Sequence, residues 1–199
     1  MRTFLAIYPA PQVVERLREF QSKLGEGLSP SWVRWTNPQQ IHLTLVFIAD
    51  IDPVPLDTLR QEGRVICRAI PPFSLRVERV GCFPDSGRPS VGWAGLDGDL
   101  SWLTRLKSEF DALLRRQGIV VEQRSFQPHL TLARVKPISG RDRRAVGERC
   151  AAFAHEAFGE WKVEEVCLMR SEPGRQCAEH TLLESFPLGT TSGQWGREQ

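Results

Sequence analysis

His42-Leu43-Thr44-Leu45 and His129-Leu130-Thr131-Leu132 are one tetrapeptide written twice, in a chain of 199 residues with only four histidines. Side chains alternate between the faces of a β-strand, so residues two apart point the same way. Each copy therefore puts a histidine and a threonine on one face and two leucines on the other. The leucines can anchor each strand in a core while the polar pair faces a cleft. Two such strands together would gather two imidazoles and two hydroxyls around one small volume. That set can move protons on both sides of a phosphate while hydroxyls hold its oxygens. Imidazole suits the task because its ordinary pKa, about 6.5, allows one ring to be neutral and the other protonated near neutral pH. A single copy reads as no more than the polar face of an amphipathic strand. Two copies, using half of the histidines, point to a site.

Outward from the motifs, strand-like and helix-like segments alternate. Thr3 to Tyr8 reads as a strand, and Pro11 opens a helix with Val13, Leu17, Phe20 and Leu24 at helical spacing, closed by Gly25 and Gly27. Trp32 to Trp35 is a short strand, and the turn Asn37-Pro38 leads to the motif strand His42 to Ile48. After Pro53 and Pro55 comes a helix with Leu56, Leu59, Ile66 and Ile70 on one face. Strands Phe73 to Phe83 and Ser90 to Leu96 flank a turn at Asp85-Ser86-Gly87. A third helix carries Leu100, Leu103, Leu106, Phe110 and Leu113 and ends near Gly118. The second motif strand, His129 to Val135, precedes a helix from about Arg141 to Phe153, and Trp161 to Arg170 and Thr181 to Leu188 read as closing strands. The two motifs lie farther apart than the roughly 20–50 residues of a solenoid repeat. A duplicated lobe inside one domain, residues 1–188, fits better, followed by a flexible polar tail, 189–199.

Composition narrows the classes. With 41% hydrophobic and 25% charged residues the chain is an ordinary globular protein, and no apolar run approaches the roughly 18 residues of a membrane helix. The N-terminus reads as a strand rather than a signal peptide, which places the protein by default in the cytoplasm. Five cysteines without a Cys-x-x-Cys pair argue against a disulfide framework or zinc knuckle. A net charge of +2 is too small for a general nucleic-acid coat but leaves room for a local basic lining.

The two motifs and their flanks resemble the 2H phosphoesterases, and within them the bacterial and archaeal RNA 2′,3′-cyclic phosphodiesterases, historically called 2′-5′ RNA ligases. The matching stretches are Arg2 to Ile7, Asn37 to Phe47, Gly81-Cys82-Phe83-Pro84, Phe126 to Arg134 and Phe186-Pro187-Leu188. The resemblance implies an α+β, bilobal fold: two antiparallel sheets in a V, one motif strand in each, helices outside. It implies metal-independent opening of a 2′,3′-cyclic phosphate to a 2′-phosphomonoester, with His42 as general acid and His129 as general base. Thr44 and Thr131 would hold the phosphate oxygens. Near the C-terminus, where the family commonly has a tyrosine, His180 stands instead.

Other residues take weaker roles. Arg134 is expected on the motif face, where a guanidinium can grip a phosphate bidentately or pair with a carboxylate; the resemblance favours phosphate. Of the aromatics near the motifs, Trp35 and Phe126 are the expected base-contacting residues. A zinc site would need a third ligand beside His42 and His129, and none sits at a recognisable spacing. No cofactor is expected. His155 reads as a surface residue, and His180, followed directly by Thr181, is set aside. The partner expected is RNA with a 2′,3′-cyclic phosphate end, or a cyclic nucleotide, acting on a monomer. Ligation, the reverse reaction, and a non-catalytic nucleotide-binding module are the competing functions.

Overall fold

The computed structural model describes residues 2–121, 125–174 and 178–189. In chain order these form β1 (Arg2–Ile7), α1 (Pro11–Gly25), β2 (Val33–Trp35), β3 (Leu43–Asp50), α2 (Pro53–Arg68), β4 (Phe73–Phe83), β5 (Val91–Gly98), α3 (Leu100–Arg116), β6 (His129–Val135), α4 (Gly140–Ala151), β7 (Ala157–Val163), β8 (Glu165–Pro173) and β9 (Ala178–Pro187). The helices start where the chemistry asks them to. Pro11 and Pro53 occupy first-turn positions, where a missing N–H costs nothing, and the Ser139 hydroxyl accepts from the Asp142 N–H at 3.2 Å to cap α4. The apolar stripe of α1, Val13, Leu17, Phe20 and Leu24, is buried as the spacing predicts.

All strand pairs are antiparallel. Four strands, β7-β4-β5-β6, make one wall, with β2 beside β6, and β3-β1-β8-β9 make the other. The walls meet through a single residue pair, Leu43 opposite Leu130, the first leucines of the two motifs. This is the α+β fold of antiparallel strands that the resemblance implied, with the two expected sheets joined by the motif strands into one curled sheet.

The duplication is visible in the order of parts. Strand, helix, motif strand, helix occurs as β1-α1-β3-α2 and again as β5-α3-β6-α4, with short β2 interposed in the first. In each unit the first helix leaves its own wall. Helix α1 packs on β7, in the wall of β6, whereas α3 packs on β3 and α2.

One strand boundary differs from the sequence reading. The run Trp161 to Arg170 is two strands, β7 and β8, separated only by Glu164. Strand β7 lies at the outer edge of one wall and β8 lies within the other. The step falls at the Glu164-Glu165 pair, which interrupts the apolar pattern, and each flanking part is buried against its own wall. Of the polar tail, Gly189 is tied down, its N–H donating to the carbonyls of Cys67 and Ile70; residues 190–199 lie outside the described residues. Among the described residues no helix is long and apolar enough to cross a membrane.

Candidate active site

Because β3 and β6 run antiparallel through Leu43 and Leu130, the register sets His42 beside Thr131 and Thr44 beside His129. All four side chains line one cleft of about 1690 Å³. Each lobe thus sends its histidine toward the other lobe's threonine.

Both imidazoles are held alike. His42 Nδ1 donates to the Gln40 carbonyl and His129 Nδ1 to the Gln127 carbonyl, both at 2.7 Å. A carbonyl only accepts, so Nδ1 must carry hydrogen in both rings, leaving Nε2 as the working nitrogen. The repeat is therefore longer than a tetrapeptide: Gln-x-His-Leu-Thr-Leu occurs at Gln40 and at Gln127.

The second leucine of each motif is the extra residue of a β-bulge. Opposite β1 the register passes from Thr44 to Val46, and opposite β5 from Thr131 to Ala133, skipping Leu45 and Leu132. A bulge re-aims everything beyond it. By strict alternation Arg134 would share the leucine face; the bulge returns it to the motif face, where it lines the cleft as expected. In the other lobe the equivalent position is Phe47, which also lines the cleft and is 61% exposed. Gln21 of α1, only 7% exposed, supports the second bulge: its Nε2 donates to the carbonyls of Leu132 (2.9 Å) and Thr36 (2.8 Å).

The surroundings of the two rings differ. His42 stacks on Phe4 with centroids 5.0 Å apart, lies 5.5 Å from Tyr8, and meets His180 at 5.4 Å. This burial pushes its imidazole down to about 4, against the Gln40 bond; the charges of His180 and His129 add to the fall. Among the described residues His129 has one aromatic ring beside it, Phe83, in edge contact at 4.9 Å. Burial lowers it too, partly offset by the Gln127 bond, and the Arg134 guanidinium adds to the lowering. Gly81 makes room for this arrangement, since a Cβ there would sit 2.3 Å from the Trp93 ring against which Phe83 packs.

A family profile described as LigT like Phosphoesterase matches residues 7–93 and 97–177. The chain belongs to the LigT-like phosphoesterase family. Among relatives, an RNA 2′,3′-cyclic phosphodiesterase of Thermus thermophilus is 32% identical, over all of this chain and 94% of its own length. One of Aquifex aeolicus is 27% identical over 95% of this chain and 98% of its own. The crystal structure of a Thermus thermophilus protein superposes with a TM-score of 0.77 at 30% identity, covering 96% of this chain and all of that one.

In this LigT-like phosphoesterase every residue singled out from sequence reaches the cleft: His42, His129, Thr44, Thr131, Arg134, Trp35 and Phe126. Two further residues, Phe47 and His180, also line the cleft. Phe47 is the far more exposed aromatic, whereas Trp35 and Phe126 are half-buried and pack against the core. His180, set aside because Thr181 follows it, stands on β9 against Phe4 and His42. No spacing rule could reveal it, because β9 reaches the site through β8 and β1. The match between His180 and the family's tyrosine position was the available signal. Among the described residues no cluster of His, Cys, Asp and Glu is arranged to hold a metal.

Proposed function

We propose that this chain is an RNA 2′,3′-cyclic phosphodiesterase that opens the cyclic ester to a 2′-phosphomonoester by proton transfer between His42 and His129, without a metal. One observation carries the reading: two imidazoles from different lobes, each fixed through Nδ1, share a cleft with the two motif threonines. The names of the relatives supply the substrate class.

His129 Nε2 takes a proton from water as its oxygen bonds to phosphorus. The phosphorus–O3′ bond breaks, and the departing oxygen takes the proton of His42. The product carries a 2′-phosphate and a 3′-hydroxyl. The Thr44 and Thr131 hydroxyls and the Arg134 guanidinium bind phosphate oxygens as charge grows on them. With its value near 4 in the free protein, His42 is neutral at pH 7. The anionic phosphate must raise it before it can act as acid, so substrate charge arms the catalyst.

The test is to incubate the pure protein and EDTA with a nucleoside 2′,3′-cyclic phosphate and identify the product. The expected product is the 2′-monophosphate. Loss of turnover in EDTA, restored by zinc or manganese, overturns the mechanism; binding without turnover makes the protein a nucleotide-binding module.

A further inference from the structure

The chain has 26 basic and 24 acidic side chains, yet no aspartate or glutamate is among the described residues lining the cleft, which include five lysines and arginines. One of the five, Lys107, is held by Asp111 at 2.8 Å. Three others stand together beyond the motif. Arg34 on β2 is directly opposite Arg134 on β6, and Lys136, one residue past the end of β6, follows Arg134 by two and also lines the cleft.

Like charges placed directly opposite across a ladder repel and cost stability. Such a pair is tolerable when an anion comes between its members. The position identifies which anion. Arg134 lies two ladder rungs from Thr131, Val91 against Trp93 in the facing strand, which is roughly 7 Å of strand. Lys136 lies roughly another 7 Å on. Arg134 can therefore reach the phosphate held by Thr131, whereas Arg34 stands one strand out at the same level and Lys136 stands farther along the wall.

We infer that Arg34, directly opposite Arg134, and Lys136, two residues beyond it, form a second phosphate site, which receives the phosphate on the 5′ side of the terminal nucleotide. This rests on the cyclic-phosphate reading. The reacting phosphate is on the 2′ and 3′ oxygens, so the rest of an RNA chain can continue only from the 5′ carbon. The wall therefore selects chain ends over free nucleoside cyclic phosphates. Arginine suits the nearer position because its planar fork meets two phosphate oxygens at once, and lysine suits the outer one as a point charge.

The test separates binding from turnover. Adenosine 2′-monophosphate and adenosine 2′,5′-bisphosphate are titrated calorimetrically into the wild type and into Arg34→Ala/Lys136→Ala. The bisphosphate should bind the wild type at least tenfold more tightly, the advantage should shrink as salt rises, and the double variant should lose it. Thermal melting of the variant should be unchanged or higher, because a repulsion has been removed. Equal affinity of the two ligands for the wild type, or an advantage that survives in the variant, overturns the second site. A dinucleotide with a 2′,3′-cyclic end, turned over no better than the 5′-phosphorylated cyclic mononucleotide, is the result expected if one phosphate is read. Absence of all cyclic-phosphate turnover would sink the reaction while the affinity ratio still decides this site.

Discussion

The two lobes carry the same backbone device and opposite surroundings. Each has a Gln-x-His-Leu-Thr-Leu segment, a ring fixed through Nδ1, and a bulge at the second leucine. Beyond the bulge, one lobe presents Phe47 and the other Arg134. One ring lies among Phe4, Tyr8 and His180; the other is next to Phe83 and an arginine. Duplication supplies two imidazoles held alike, and the flanking side chains make them unequal. A reaction with a distinct entering and leaving oxygen needs both properties.

The strongest test of equivalence removes each ring. His42→Ala and His129→Ala should each lower kcat/KM by about 10²–10⁴, with the double variant little worse, because both serve one transition state. A nitrophenolate leaving group needs no acid and should rescue His42→Ala alone. Rescue of His129→Ala instead would reverse the roles of the lobes.

Stability against pH sharpens the difference in burial. The His42 ring has a folded value of about 4 against about 6.5 when exposed. Between these values the unfolded chain binds the proton and the folded chain resists it. Stability should be full above about pH 6.5 and should fall, by on the order of 3 kcal/mol, as pH drops to about 4. His42→Asn should flatten that slope in denaturant titrations, and an unchanged slope would show that His42 is not the buried ring.

The residues after the bulges should separate by ligand part. Arg134→Ala should weaken a phosphate-bearing ligand whatever its base. Phe47→Ala should cost about 1–3 kcal/mol with nucleotides and little with inorganic phosphate, if a base stacks there. Titration calorimetry with 2′-nucleotides and phosphate reads both, and equal losses on both ligands in Phe47→Ala would erase the distinction between the walls.

The smallest effect is a displacement of pH limbs. Both rings lie below their ordinary value in the free protein, so the alkaline limb of kcat/KM should fall below pH 6.5. An anion raises both, so the limb of kcat should lie at higher pH. Coincident limbs would show that the substrate's charge does not arm His42.

The motif pair, its faces and the helix stripes were legible because periodicity reports burial directly. Leu45 and Leu132 are buried like ordinary strand residues, so nothing in their spacing announced a bulge. The outcome for Arg134 was nonetheless as expected, through a bulge that alternation does not foresee. The Glu164-Glu165 pair did mark the step in the sequence, but two polar residues in a row do not say that the chain changes walls. His180 was hidden because its neighbours are distant in sequence. Gln21 is the converse case: one polar residue on the buried stripe of α1, whose amide bonds the Leu132 carbonyl on a strand more than a hundred residues away.

The exchange of helices carries a consequence for how such a molecule could have arisen. Each repeat unit carries a cover for the other unit's wall and leaves part of its own wall bare. A primitive half, made alone, would expose apolar strands until it met a second copy and traded helices with it. The present chain carries both halves in one peptide, so the exchange needs no second molecule. Its two histidines belong to separate halves, and the cleft is complete only when both are together.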